Sequence, residues 1–271
     1  MEQAPIEAIA HPTDFSEASA EAFAHALRLA LDFRCRLDLL HVRSSDGDRG
    51  WSSFPHVRET LALWELLPAD AAQTQVQEKL GVTIRKIEIE HHDPLQGVAG
   101  FLQSHRPDLI VMATHGAQGL RRFLSESVSE RIAQKTHVPA LFLGPNARPF
   151  VDAKTGRLHL KNAVIPVAHD PAPDRALLLF HRLFGKLGLD QRFIHIGKDP
   201  FELTGPAGEH LDVASLEGPT VETILTDANT CLADLLVMPT AGPHGFLDAL
   251  RGSTTEQVLR RAPCALLALP A

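Results

Sequence analysis

The 271-residue sequence is poor in cysteine and has no surplus of positive charge. Its three cysteines, Cys35, Cys231 and Cys264, stand far apart and form no Cys-x-x-Cys pair. That excludes a zinc ribbon or a dithiol redox motif, and the three read as reduced thiols. The net charge of −7 argues against a nucleic-acid partner, because phosphate backbones attract an excess of lysine and arginine. No run approaches the roughly 20 apolar residues that a membrane helix needs, so no membrane partner is expected. The opening residues MEQAPIEAIAHPTD lack the basic and apolar regions of a secretory leader, which points to a cytoplasmic location. Catalytic signatures are missing as well: no Gly-x-Ser-x-Gly elbow, no Walker A loop, no His-Glu-x-x-His, and no Cys–His pairing of recognisable spacing.

What is present is a 44% hydrophobic chain that repeats itself. Residues 106–112 (RPDLIVM) match residues 232–238 (LADLLVM) at an offset of 126. The same offset pairs Gly116 with Gly242, Ser127 with Ser253 and Glu130 with Glu256. Earlier in the chain the offset is 154, pairing Pro12 with Pro166 and His41 with His195. The difference of 28 residues means that the second copy has lost about that much between these regions. Two homologous units follow, 1–150 and 151–271, joined through a Pro- and Gly-bearing linker at 146–161. The lost segment corresponds to residues 51–80, whose apolar spacing predicts a helical crossover. The second unit has only a Pro- and Gly-rich stretch, 198–209, which reads as a loop.

In the first unit the pattern predicts strands at 6–11, 35–42, 82–90, 109–113 and 140–143. Helices are predicted at 16–32, 94–105 and 127–136, with Ser16 as an N-cap and Pro94 at the first helical position. The second unit repeats the strands at 163–167, 192–196, 211–216, 235–238 and 265–269. Strands alternating with helices predict an α/β fold of two doubly wound, five-stranded, mostly parallel sheets covered on both faces. Ligands of such sheets gather beyond the carboxyl ends of the strands, where strand order reverses.

Two loops meet that description in each unit. In the first, His11-Pro12-Thr13-Asp14-Phe15-Ser16 follows strand 1, and Ala113-Thr114-His115-Gly116 follows strand 4, leading to Glu126-Ser127-Val128. This pair of segments resembles the universal stress protein family. That family carries Pro-Thr-Asp-x-Ser after strand 1 and Gly-x2-Gly-x9-Gly-[Ser/Thr] after strand 4. The resemblance covers nearly all of the first unit and, more loosely, the second. It implies a Rossmann-like sheet of order 3-2-1-4-5 and a site for ATP or another adenine nucleotide, with no metal beyond Mg accompanying the nucleotide. It implies a regulatory or stress-response protein with at most slow ATP hydrolysis and no catalytic residue. The two units should pack as an intramolecular pseudo-dimer, and a further homodimer of chains is left open.

Carried onto this sequence, the implied nucleotide-binding residues are Pro12, Thr13, Asp14, Val42, Met112, Ala113, Gly116, Ser127 and Val128 in the first unit. In the second they are Met238, Gly242, Gly252, Ser253 and Thr254. Glycine suits such a loop because it lets backbone N–H groups approach phosphate oxygens. Each unit departs from the pattern. The first has Ala113 and Glu126 where the family has glycine, and a carboxylate about 5 Å from a phosphate charge costs roughly 3 kcal/mol at an effective dielectric of 20. The second has Pro239 in place of the first glycine, and Ala168 where the first unit has Asp14. The first unit therefore suits adenine and the second suits phosphate.

Other readings stand beside these. Ser127-x-x-Glu130 and Ser253-x-x-Glu256 are also capping boxes, and Asp14 is also a turn or N-cap residue. The departures favour an alternative in which the same fold is an interaction scaffold without a nucleotide. A metal at His91-His92-Asp93 is disfavoured, since neighbours on a strand point to opposite faces.

Overall fold

The computed structural model describes residues 4–43, 54–114, 138–240 and 254–271. The first half runs β1 (Ala8–Pro12), α1 (Glu17–Phe33), β2 (Arg36–Arg43), α2 (Val57–Leu63), α3 (Gln73–Leu80), β3 (Thr83–Glu90), α4 (Pro94–His105), β4 (Leu109–Ala113) and β5 (Ala140–Leu143). The second runs β6 (Asn162–Val167), α5 (Asp174–Phe184), β7 (Asp190–Ile196), β8 (Leu203–Thr204), β9 (His210–Leu211), β10 (Val213–Leu216), α6 (Thr220–Thr230), β11 (Leu235–Thr240), α7 (Thr254–Leu259) and β12 (Ala265–Pro270).

Local chemistry accounts for these bounds. Ser16 is extended, and its Oγ accepts from the Ser19 N–H at 3.2 Å, which starts α1. Arg34 ends that helix in the left-handed conformation at φ 52°. The central strands β4 and β12 are apolar throughout because helices cover both faces of the sheet. The helix predicted at 127–136 lies outside the described residues.

Strand order is β10-β7-β6-β11-β12-β5-β4-β1-β2-β3, so each half has its own five strands in the expected 3-2-1-4-5 order. The halves are not separate sheets, however. β12 pairs antiparallel with β5, Leu267 opposite Leu141, and ten strands form one sheet whose order is mirrored about that seam. All other pairings in that sheet are parallel.

Hydrophobic packing is continuous across the seam on both faces. One face buries Leu27, Leu37 and Phe54 from the first half together with Phe180, Leu183 and Phe184 from the second. The other buries Val98, Met112 and Phe142 with Ile224, Val258 and Leu266. An acidic residue anchors the start of each first strand. Asp108 Oδ2 accepts from the Glu7 and Ala8 N–H groups at 2.7 and 3.1 Å. Asp234, 126 residues on, does the same for Lys161 and Asn162 at 2.8 and 3.0 Å. Asp108 alone also accepts from Arg182 Nη2 of α5 at 2.5 Å, which ties the halves together.

Three expectations are refined. The crossover at 51–80 is two helices, α2 and α3, interrupted at Pro68. The segment 198–209 is not wholly loop, because Leu203–Thr204 and His210–Leu211 form a small antiparallel hairpin off the main sheet. The strand expected at 211–216 accordingly splits at Asp212, and only β10 joins β7.

The α2 region has a second use. Trp64 Nε1 donates to Ala153 O at 2.9 Å, and Gly156, at φ +66°, lies against the indole. A Cβ there would come within 2.4 Å of Trp64 Cδ2. Gly156→Ala is therefore expected to cost about 2 kcal/mol, from the left-handed backbone together with the clash. Denaturant titration followed by Trp64 emission, in a Trp51→Phe background, would register both the loss and a red shift. Unchanged emission and midpoint would contradict it.

Candidate functional site

At the carboxyl ends of β1, β2 and β4 the first half gathers Pro12, Thr13, Asp14, Val42, Met112 and Ala113. Pro12 sits opposite Leu40, and the Thr13 N–H continues the ladder to Leu40 O at 2.8 Å. The Thr13 hydroxyl accepts from the Phe15 N–H at 3.1 Å and from Ser19 Oγ at 2.8 Å, so the chain turns sharply into α1. Phe15 takes φ 61° in that turn. Asp14 Oδ1 accepts from the Ser16 N–H at 3.0 Å and Ser16 Oγ at 2.6 Å. The turn role foreseen for Asp14 is thus real for one oxygen. Oδ2 takes no hydrogen bond among the described residues.

Met112 is buried on the face covered by α4, with Val42 packed against the same cluster. Gly97 lets α4 approach there, since a Cβ would meet Val42 Cγ1 at 2.9 Å. Gly116, Ser127 and Val128 lie outside the described residues, as do Gly242, Gly252 and Ser253.

The second half presents an open cleft of about 340 Å³ where its strand order reverses between β6 and β11. Val167 lines it from β6 and Ala168 from just past that strand, Ile196 from β7, Met238 and Thr240 from β11, and Thr254 from α7. Of the residues expected here, Met238 and Thr254 both line the cleft. Sequence reading passed over Ile196, Thr220 and Thr240 as site residues. The repeat register could have found Ile196, which corresponds to the expected site residue Val42, whereas Thr220 and Thr240 correspond to Pro94 and Thr114, which carried no such expectation. Thr114 and Thr240 even bond alike, each Oγ1 donating to the last strand of its own half, to Leu143 O at 3.3 Å and Leu269 O at 3.1 Å.

Two aromatic clusters also correspond across the halves. Phe15 stacks on His41 at 4.2 Å, with Phe54 edge-on at 5.5 Å. In the second half His169, His195 and Phe201 take their places, His195 and Phe201 lying 4.8 Å apart. Each strand histidine donates from Nδ1 to a carbonyl of the first strand's end, His41 to Thr13 O at 2.9 Å and His195 to Val167 O at 3.1 Å. These histidines fix the loop after the first strand.

His11 is fully buried, and Nδ1 must carry the ring proton because it meets Val111 O at 2.9 Å. Burial pushes its pKa down to about 4, against the opposing pull of the Val111 carbonyl and the Asp14 charge. Its Nε2 has no hydrogen-bond partner among the described residues. The second half has Ile165 at the corresponding position.

The opposite-faces reading of His91 and His92 is corrected. β3 ends at Glu90, and past it the two rings stack at 4.5 Å, with His91 Nδ1 donating to Asp93 O at 2.7 Å. Among the described residues no three His, Cys, Asp or Glu side chains gather as a metal site. Among them, too, no helix is long and apolar enough to cross a membrane. Burial raises the thiols of Cys35 and Cys264 to about 12, which makes them inert as nucleophiles.

The sequence profile of the universal stress protein family matches residues 5–143 and 187–270. A universal stress protein of Methanocaldococcus jannaschii is 31% identical over 135 residues, which is 48% of this chain and 77% of that protein. Among solved structures, a universal stress protein from Archaeoglobus fulgidus superposes with TM-score 0.61 at 21% identity, covering 98% of this chain and 97% of that one. A Pseudomonas aeruginosa protein gives TM-score 0.59 at 15% identity over 98% and 92% of the two chains. At these identities the structural likeness speaks for the fold.

Proposed function

The chain belongs to the universal stress protein family, in a form with two such domains in tandem, and from that premise we propose that it is a regulatory or stress-response protein of the cytoplasm that binds adenine nucleotide. The observation that carries the reading is the cleft at the β6/β11 reversal, lined by residues in register with the first half's strand-end loops. A volume of about 340 Å³ falls within the range of small-molecule sites. Its apolar walls, Ile196, Ile224 and Met238, suit the faces of a base, and the hydroxyls of Thr220, Thr240 and Thr254 suit polar edges. In the first half, Asp14 Oδ2, which takes no hydrogen bond among the described residues, suits the exocyclic amine of adenine, and Mg would accompany the phosphates. When bound, the nucleotide supplies a signal of its own concentration, and no catalytic role falls to any residue.

Calorimetric titration of the full chain with ATP and AMP tests this, and saturable heat below millimolar ligand is expected. Asp14→Asn keeps an oxygen for the Ser16 bonds but turns an amide N–H₂ toward the adenine amine. It should weaken binding in the first half about tenfold, the worth of one charge-assisted hydrogen bond. No heat with either nucleotide would reject the proposal.

One observation favours the second reading, an interaction scaffold of the same fold. Asp14 Oδ1 is already occupied by Ser16, so the turn stands without any ligand. Nucleotide retained through purification would count against the scaffold.

A further inference from the structure

The loops that follow the first strands of the two halves differ in one chemical respect. At the end of its first strand the first half offers a fixed acceptor, because Asp14 is held by Ser16 through one oxygen and the other takes no hydrogen bond among the described residues. An ionised carboxylate only accepts. It favours a ring edge carrying an amine and disfavours one carrying a carbonyl. In the second half the corresponding residue is Ala168, which lines the cleft and whose side chain has no polar group to offer.

The polar side chains that do line the second cleft, among the described residues, are Asp170, Thr220, Thr240, Thr254 and Thr255. Asp170 is exposed, two residues beyond the strand-end position of Ala168. A threonine hydroxyl both donates and accepts, and it rotates to suit whichever group it meets. Thr240 has spent its proton on Leu269 O. Nearby carbonyls are engaged too: Val167 O accepts from His195 and Thr240 O accepts from the Ala271 N–H. The rest of the wall, Val167, Ile196, Ile224 and Met238, touches a flat ring through its faces, which all purines share.

We infer that the cleft between β6 and β11 binds purine nucleotides without selecting adenine over guanine, Ala168 being the position that removes the selection. This rests on the proposed nucleotide binding and extends it to the specificity of the second half. Strong rejection of a near-isosteric ligand requires buried polar groups that the wrong ligand would leave unpaired. The one buried side-chain group of fixed sense among the described walls, the accepting oxygen of Thr240, finds a donor on either base, since adenine carries an amine and guanine an amine and a ring N–H.

The full chain titrated with ATP and with GTP decides the matter. GTP should bind at one site per chain, within about threefold of the affinity that ATP shows there, since less than one net hydrogen bond separates the bases. Ala168→Phe, which places a ring in the cleft, should abolish GTP binding. Ala168→Asp should favour ATP over GTP by about tenfold. Thermal unfolding of both variants checks that they fold. ATP binding with GTP weaker by tenfold or more at every site would overturn the inference and leave the nucleotide reading standing. So would GTP binding that survives Ala168→Phe. Silence toward both nucleotides would sink the nucleotide reading itself, and this inference with it.

Discussion

Lowering the pH from about 7.5 to about 5 is expected to remove about 4 kcal/mol of folding stability, shared between His25 and His11. His25 lies in α1 and is fully buried. Its Nδ1 donates to Glu21 O at 2.8 Å, so its Nε2 is bare and accepts from both the Phe150 and Val151 N–H groups, at 3.1 and 3.2 Å. Phe150 meets the ring edge-on at 4.5 Å. A proton on Nε2 would face two donors with a third, and burial holds the pKa down at about 4, the Glu21 carbonyl opposing. His11 is lowered to about 4 for the same first reason.

Both folded values lie below the ordinary 6.5 of the unfolded chain. The unfolded state therefore binds protons that the folded state refuses. The stability is fully present above 6.5 and is lost as pH falls toward 4. For each histidine the loss is about 2 kcal/mol at pH 5 and about 3 kcal/mol at pH 4. Urea titrations across this range would show it. His25→Gln, whose amide oxygen can accept the two N–H groups without titrating, should remove about half of the dependence. A variant with the full wild-type slope would show that His25 has been misread.

Asp108→Ala should be the most damaging single change at the join of the halves, at about 3 kcal/mol, against about 2 kcal/mol for Asp234→Ala. Each aspartate satisfies two N–H groups at the start of a first strand. Only Asp108 also holds Arg182, which reaches it from α5 while donating to Ala4 O and Pro5 O. Arg182 is about a third exposed, so solvent screening discounts the ion pair, and most of the cost comes from the stranded N–H groups. A double-mutant cycle of Asp108→Ala and Arg182→Ala isolates the contact between halves, with about 1 kcal/mol expected. Equal losses for Asp108→Ala and Asp234→Ala would show that the bridge contributes nothing.

Much of the fold was legible because its signals are local. Pro94 at the first position of α4, Ser16 before α1 and the unbroken apolar run of β4 each mark an element within a few residues. The site was legible in part. The strand-end loops carry their residues consecutively, so Asp14, Met112 and Met238 could be named from motif and register. Ile196, Thr220 and Thr240 form no motif and become neighbours only when β6, β7, α6 and β11 converge. The hairpin at 203–211 was missed because two-residue strands have no period to detect.

By itself the sequence determined that the chain is a duplication, with five strands to each copy. Offsets and periodicities survive in one dimension, and they suffice for that. Only the tertiary structure decided that β5 and β12 join the copies into one sheet, that both cores run across the seam, and that His25 stays unprotonated on Nε2. Each of these depends on a pairing more than a hundred residues apart along the chain, where nothing in either partner's own neighbourhood announces the other.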